Sequence, residues 1–118
     1  MQFCILVQQP PYERQASVSA LNFARAVLSA GHQINRVFFY QGGVANACEL
    51  IEAPQNEMQL PALWAKLAEE HKLELSVCIA AAKRRGVLQE NLIEGFEISG
   101  LGQLLEASIK ADRLVCFN

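Results

Sequence analysis

One aspartate, Asp112, and two isolated histidines, His32 and His71, are all that the chain holds of two residue types on which phosphoacceptor and metal sites depend. A receiver-type phosphoacceptor domain needs aspartates clustered at strand ends, so that reading fails. A metal centre needs further ligands at matched spacing, and neither histidine has one. His32 follows a helix-ending glycine and His71 falls in a last helical turn, where positive charge is favoured, so both read as structural. The longest unbroken apolar run is Val77 to Ala82, far short of the roughly 20 residues that a membrane-crossing helix requires. Charge is scarce and balanced, at 19% charged residues and a net charge of -2, which gives no general attraction to nucleic acid or acidic membranes. Direct nucleic-acid binding is therefore not expected. The N-terminus has neither a basic leader nor a small-residue cleavage site, so a cytoplasmic protein with reduced thiols is expected.

What remains is apolar. In 118 residues with 52% hydrophobic content, the chain can build one well-packed domain spanning 1–118, not two with separate cores. A domain of this size removes only about two-thirds of its unfolded surface from water. The surplus apolar content points to a subunit interface.

Short apolar runs alternate with helical patterns. Phe3–Val7 reads as a strand buried on both faces, ended by Gln8, Gln9 and two prolines. Gln15–Ala30 has a broad apolar face at helical spacing, and Gly31 supplies its stop. Ile34–Tyr40 is a second strand, closed by Gln41-Gly42-Gly43, with a short helix over about Val44–Leu50. Ala53–Gln59 reads as a loop, and the spacing of Leu60, Leu63, Trp64 and Leu67 predicts a third helix. Leu73–Ile79 is the third strand, followed by three alanines, the basic run Lys83-Arg84-Arg85 and a polar stretch to Glu94. Ser99-Gly100-Leu101-Gly102 opens a last helix before a final strand, Leu114–Phe117. This alternation predicts an α/β fold, a doubly wound and mainly parallel sheet whose chemistry lies at the carboxyl ends of the strands, near a topological switch point.

A dinucleotide site would need glycines between the first strand and helix, where the chain has Gln8-Gln9-Pro10-Pro11-Tyr12-Glu13-Arg14; that reading fails. Ser99-Gly100-Leu101-Gly102 could form an anion-binding nest or a plain helix cap, but it follows no clear strand. The four cysteines stand alone, without Cys-x-x-Cys spacing. Cys4 and Cys116 lie inside strands and read as small buried hydrophobes. Cys48 is either core or a thiol at a strand-end crevice. Cys78 stands apart, near the carboxyl end of the third strand and close in sequence to Lys83, Arg84 and Arg85. A sulfur nucleophile must ionise, and cations or a helix N-terminus favour that; the three basic residues are candidate electrostatic helpers, or else a solvated loop. Ala80, Ala81 and Ala82 are expected to leave the sulfur open to a macromolecule. No general base pairs with Cys78, which disfavours a Cys-His hydrolase. Thiol exchange needs only activation and access, with no metal or organic cofactor.

The segments ARAVLSAGHQINRVFFYQGGVANA at 24–47, CIAAAKRRGV at 78–87 and GFEISGLGQLLEA at 95–107 resemble the DsrE family. QQPPYERQAS at 8–17 and ADRLVCFN at 111–118 extend the likeness over the whole chain. The resemblance implies a Rossmann-like, flavodoxin-like sheet and a cytoplasmic sulfur-relay subunit. Such subunits assemble with TusB-like and TusC-like proteins as a heterohexamer. The family's cysteine, matched by Cys78, accepts persulfide sulfur from a TusA-like donor and passes it toward a TusE-like acceptor, for 2-thiolation of the tRNA wobble uridine. Related subunits serve dissimilatory sulfur oxidation instead. A scaffold subunit with a merely buried thiol, or a homo-oligomer where the partners are absent, is the alternative. Only eight residues, Val87 to Glu94, separate the basic loop motif Lys83-Arg84-Arg85-Gly86 from Gly95, where family members are often longer.

Overall fold

The computed structural model describes residues 1–12, 15–54 and 59–118. Strands and helices alternate as expected: β1 (Gln2–Val7), α1 (Ala16–Ser29), β2 (Gln33–Phe39), α2 (Leu60–His71), β3 (Leu75–Cys78), α3 (Ile79–Arg84), β4 (Phe96–Ser99), α4 (Leu101–Lys110) and β5 (Arg113–Phe117). The five strands form one sheet in the order β4-β3-β2-β1-β5, and every neighbouring pair is parallel. Parallel neighbours need crossovers, and right-handed crossovers that step from β1 to β4 place α1, α2 and α3 on one face. The return from β4 to β5 runs the other way, so α4 lies on the second face. There the Asn35 side chain donates to the Ala107 carbonyl at 2.9 Å. The order reverses between β1 and β5, which is the switch point.

The core lies mainly between the sheet and α1 and α2. Phe39 meets Trp64 edge-on at 5.4 Å and Phe96 at 5.3 Å, while Phe23 of α1 touches Phe3 and Phe117. Trp64, Phe38, Phe39, Leu21 and Ile5 are fully buried. Alternation along each strand sends Phe3, Ile5 and Val7 toward α1, and Cys4 and Leu6 toward α4. Gly31, at φ +87°, adopts the left-handed turn that ends α1.

The structure corrects four local expectations. Residues 79–84 form a helix, because three consecutive alanines cost nothing in helix propensity. Phe96–Ser99 is a strand, so Ser99-Gly100 does follow one; four residues are too few for alternation to stand out against the polar stretch before them. The turn after β2 is a 3-10 helix over Gln41–Ala47 instead of a helix over 44–50. Gly43 explains the shift: a Cβ there would collide with the Val7 carbonyl, whose carbon would lie 2.8 Å away. The chain is thereby drawn onto the end of β1 before any α-helical turn can form. Lastly, β3 is shorter than the apolar run that suggested it. The loop expected over 53–59 lies partly outside the described residues.

Candidate functional site

Cys78 is the last residue of β3 and the N-cap of α3. Its strand partner at that level is Ser99, the last residue of β4, and α4 begins two residues further on, after its N-cap Gly100. The N-terminal ends of α3 and α4 therefore flank the carboxyl ends of β3 and β4. Partial positive charge from their unpaired N–H groups favours an anion there. The Gly100 N–H donates to Gln103 Oε1 at 3.1 Å, so this turn caps its helix through its own glutamine.

The sulfur is not left open. Cys78, Ala81 and Ala82 are each 1% exposed, whereas Ile79 is 45% exposed and Ala80 is exposed as well. The expectation of an accessible thiol fails because the chain turns into α3 at once and folds two of the alanines down against the 3-10 turn. The basic run is likewise separated from the sulfur. Lys83 and Arg84 fill the last turn of α3 and Arg85 is its C-cap, with Lys83 five residues and roughly 7.5 Å along the axis from Cys78. Arg84 and Arg85 instead border a cleft of about 680 Å³ at the carboxyl ends of β1 and β2, opposite Gln8, Gln9, Tyr40 and Gln41. No ion pair engages Lys83, Arg84 or Arg85 among the described residues.

The other thiols divide differently from the sequence reading. Cys4 is fully buried, and burial pushes its pKa up to about 11, against the lowering effect of Arg36, with Cys116 adding to the rise. Cys48 is buried at the end of the 3-10 turn and pairs with Leu92 in an antiparallel bridge, which gives it a structural place. Cys116 is exposed, contrary to expectation. It lies on edge strand β5, and α4 packs over β1 and β2 instead of β5. Cys116 borders a crevice with Gln15, Ala16 and Ser19 at the switch point, and two strands, β1 and β2, separate it from Cys78 in the sheet.

Three residues escaped the sequence reading. Arg36 joins Glu74 at 2.6 Å and Glu97 at 3.5 Å and bonds the Ser76 hydroxyl, tying β2 to the start of β3 and to β4. A charge inside a strand pattern was its only signal. Asn46 and Ser17 are buried polar residues that bond each other and the Gln9 carbonyl, at 2.7 Å from Ser17. Asn46 also donates to the Gly43 carbonyl at 2.9 Å. This network fixes the β1–α1 connection against the 3-10 turn and so shapes the floor of the cleft. Among the described residues no cluster of histidine, cysteine, aspartate and glutamate could hold a metal, and no helix is long and apolar enough to cross a membrane.

Comparison with known proteins fits this arrangement. The solved ychN protein of E. coli superimposes with a TM-score of 0.85 at 21% identity, covering 99% of this chain and all of that one. A protein of unknown function from Methanobacterium thermoautotrophicum gives 0.73 at 13% identity over 97% of each chain. These likenesses establish the fold. In sequence, the chain is 47% identical to the putative sulfurtransferase DsrE of Allochromatium vinosum, covering 99% of this chain and 98% of that protein. It is 44% identical to the sulfurtransferase TusD of Sodalis glossinidius over the same shares, and 47% identical to a TusD homolog of Pseudomonas aeruginosa over 99% and 97%. Residues 1–117 match the profile of one family, and the chain belongs to it: the DsrE/DsrF-like family.

Proposed function

We propose that this chain is a persulfide-carrying subunit of a sulfur relay, with Cys78 as nucleophile and carrier. Sulfur transfer as a class follows from the family and from relatives named sulfurtransferases. The observation that carries the residue assignment is the place of Cys78: among the four cysteines it is the one at the carboxyl end of an inner strand where two helices begin. The Cys78 thiolate attacks the terminal sulfur of a donor persulfide. A new S–S bond forms, the donor's S–S bond breaks, and the donor leaves as a thiolate; the reverse attack by an acceptor thiolate unloads Cys78. Oxidation states balance within each exchange, so no cofactor is required. Specificity then comes from docking.

The relay we infer runs from a TusA-like donor to a TusE-like acceptor in the cytoplasm, toward 2-thiolation of the tRNA wobble uridine, with TusB-like and TusC-like subunits completing the complex. The likeness to a protein named DsrE, as close as that to the Pseudomonas TusD homolog, keeps dissimilatory sulfur oxidation as the second destination. Genes for TusB-like and TusC-like neighbours alone favour the first, and a dissimilatory sulfite reductase operon favours the second.

Incubation with a persulfide donor followed by intact-mass measurement tests the assignment. Mass rises by one sulfur in Cys116→Ser, which removes the exposed competing thiol, and does not rise in Cys78→Ser/Cys116→Ser. A Cys78→Ser/Cys116→Ser protein that still gains the sulfur refutes Cys78 as the carrier.

A further inference from the structure

The cleft beside α3 has a lining that sulfur transfer at Cys78 does not use. Arg84 and Arg85 line a space of about 680 Å³ together with Ala81 of α3 and with Gln8, Tyr40 and Gln41 at the strand ends, and no carboxylate lines it among the described residues. In a chain of net charge -2 this is a local concentration of positive charge and hydrogen-bond donors. The floor is firm. Gly42 lies so close to Pro10 that a Cβ would come within 2.9 Å of its ring, and Gln41 holds a left-handed backbone at φ +51° while accepting a hydrogen bond from the Gln8 amide at 3.1 Å.

A second hollow of about 300 Å³ continues from this cleft. It shares Pro10, Gly42 and Arg85 with it and is lined further by Pro11, Tyr12, Ala45, Ile51, Glu52 and Pro54. A small oxyanion would occupy a fraction of the first space and none of the second. An extended peptide uses both, placing acidic side chains against the arginines and an apolar one in the hollow, where Glu52 disfavours a further acid. Both spaces are open to solvent, as a peptide groove must be. Cys78 lies at the other end of α3, a helix of six residues and so about 9 Å long. Three residues of extended chain span that distance.

Resting on the persulfide reading above, we propose that this cleft docks an acidic, apolar-flanked peptide segment of the protein that exchanges sulfur with Cys78, and so places the partner's sulfur at the start of α3. Arg84 and Arg85 are thereby specificity-determining residues that bind the partner's carboxylates through charge-assisted hydrogen bonds.

The test uses the full chain and a fluorescent, thiol-free peptide carrying two aspartates followed by leucine, with its asparagine counterpart as control. Fluorescence anisotropy is expected to show the acidic peptide binding about tenfold more tightly, with the difference lost when salt rises from about 0.05 M to about 0.5 M. The Arg84→Ala/Arg85→Ala variant loses that preference, and the Arg84→Lys/Arg85→Lys variant keeps part of it. Equal binding of the two peptides overturns the inference. So does saturable binding of pyrophosphate at the arginines that the acidic peptide fails to displace, which would mark a small-anion site. A parallel measurement, made in a Cys116→Ser background, loads Cys78 from versions of both peptides extended by one cysteine persulfide and from the persulfide of N-acetylcysteine amide. Loading from the small donor at the same rate in wild type and double alanine variant, with only the acidic peptide slowed by the variant, supports docking. Failure of all three donors to load Cys78 refutes the persulfide reading, and peptide anisotropy then still decides the cleft by itself.

Discussion

Burial of the Cys78 sulfur makes thiol labelling a direct probe of how the site works. Cys78, Ala81 and Ala82 are each 1% exposed, while Cys116 is an exposed reference thiol in the same molecule. Exposing Cys78 requires the first turn of α3 to loosen from the 3-10 turn, with Arg84 and Arg85 kept at their cleft, which uncovers two methyl groups and one thiol-bearing side chain. At about 0.8 kcal/mol for each methylene-sized group, that opening costs roughly 3 kcal/mol. Global unfolding of a domain costs about 5–15 kcal/mol, so the first turn of α3 opens as a local unit. Since about 1.4 kcal/mol is one decade in population, Cys78 should react with iodoacetamide about 10²-fold more slowly than Cys116. Cys4, beneath α4 in the sheet, should lag further. Mapping of labelled peptides against time at several low urea concentrations separates the cases. Local opening exposes little surface, so the Cys78 rate should hardly change with urea below the unfolding transition. Labelling of Cys78 at the Cys116 rate would refute its buried placement. A rate that rises with urea in step with global unfolding would refute the first turn of α3 as a separate opening unit. Persulfide exchange needs the same access, so saturating donor should load Cys78 no faster than this opening allows.

Two further outcomes follow from the packing around the site. Gly43→Ala places a methyl against the Val7 carbonyl and should cost about 3 kcal/mol or prevent folding, read as a lowered thermal midpoint; a midpoint equal to wild type would refute the close approach of the 3-10 turn to β1. For Cys4, burial raises the pKa to about 11 from an ordinary value near 9, so the unfolded chain loses its proton first as pH rises. Cys4 therefore contributes stability below about pH 9 that falls away between pH 9 and 11 by about 2–3 kcal/mol. Urea unfolding of wild type and Cys4→Ala across that range checks it, the variant showing the shallower loss; parallel curves would reject the assignment.

Legibility varied with the physics of each segment. The strands β1, β2 and β5 and the helices α1 and α2 could be read because long apolar periodicities report burial directly. The strand β4 and helix α3 were not legible: four and six residues are too short for a period to stand above the polar and basic residues around them. Cys78 could be singled out from its place at a strand end and its family motif, whereas its burial could not, because whether a sulfur is covered depends on the path of the chain after it. The basic run was read as neighbouring Cys78 because the two are close in sequence. A helix between them carries Arg84 and Arg85 to a different cleft.

By itself, the sequence determined the α/β alternation and the family, and it offered Cys78 as the candidate among four thiols, since each is carried by local pattern or by a contiguous motif. Tertiary structure decided which thiols are covered, which groups share a cleft, and where two helix ends meet a strand end. Cys116 is the clearest case. Its neighbours in sequence are those of a buried strand, but exposure is a property of what lies over a residue, and α4 covers β1 and β2 while leaving β5 open.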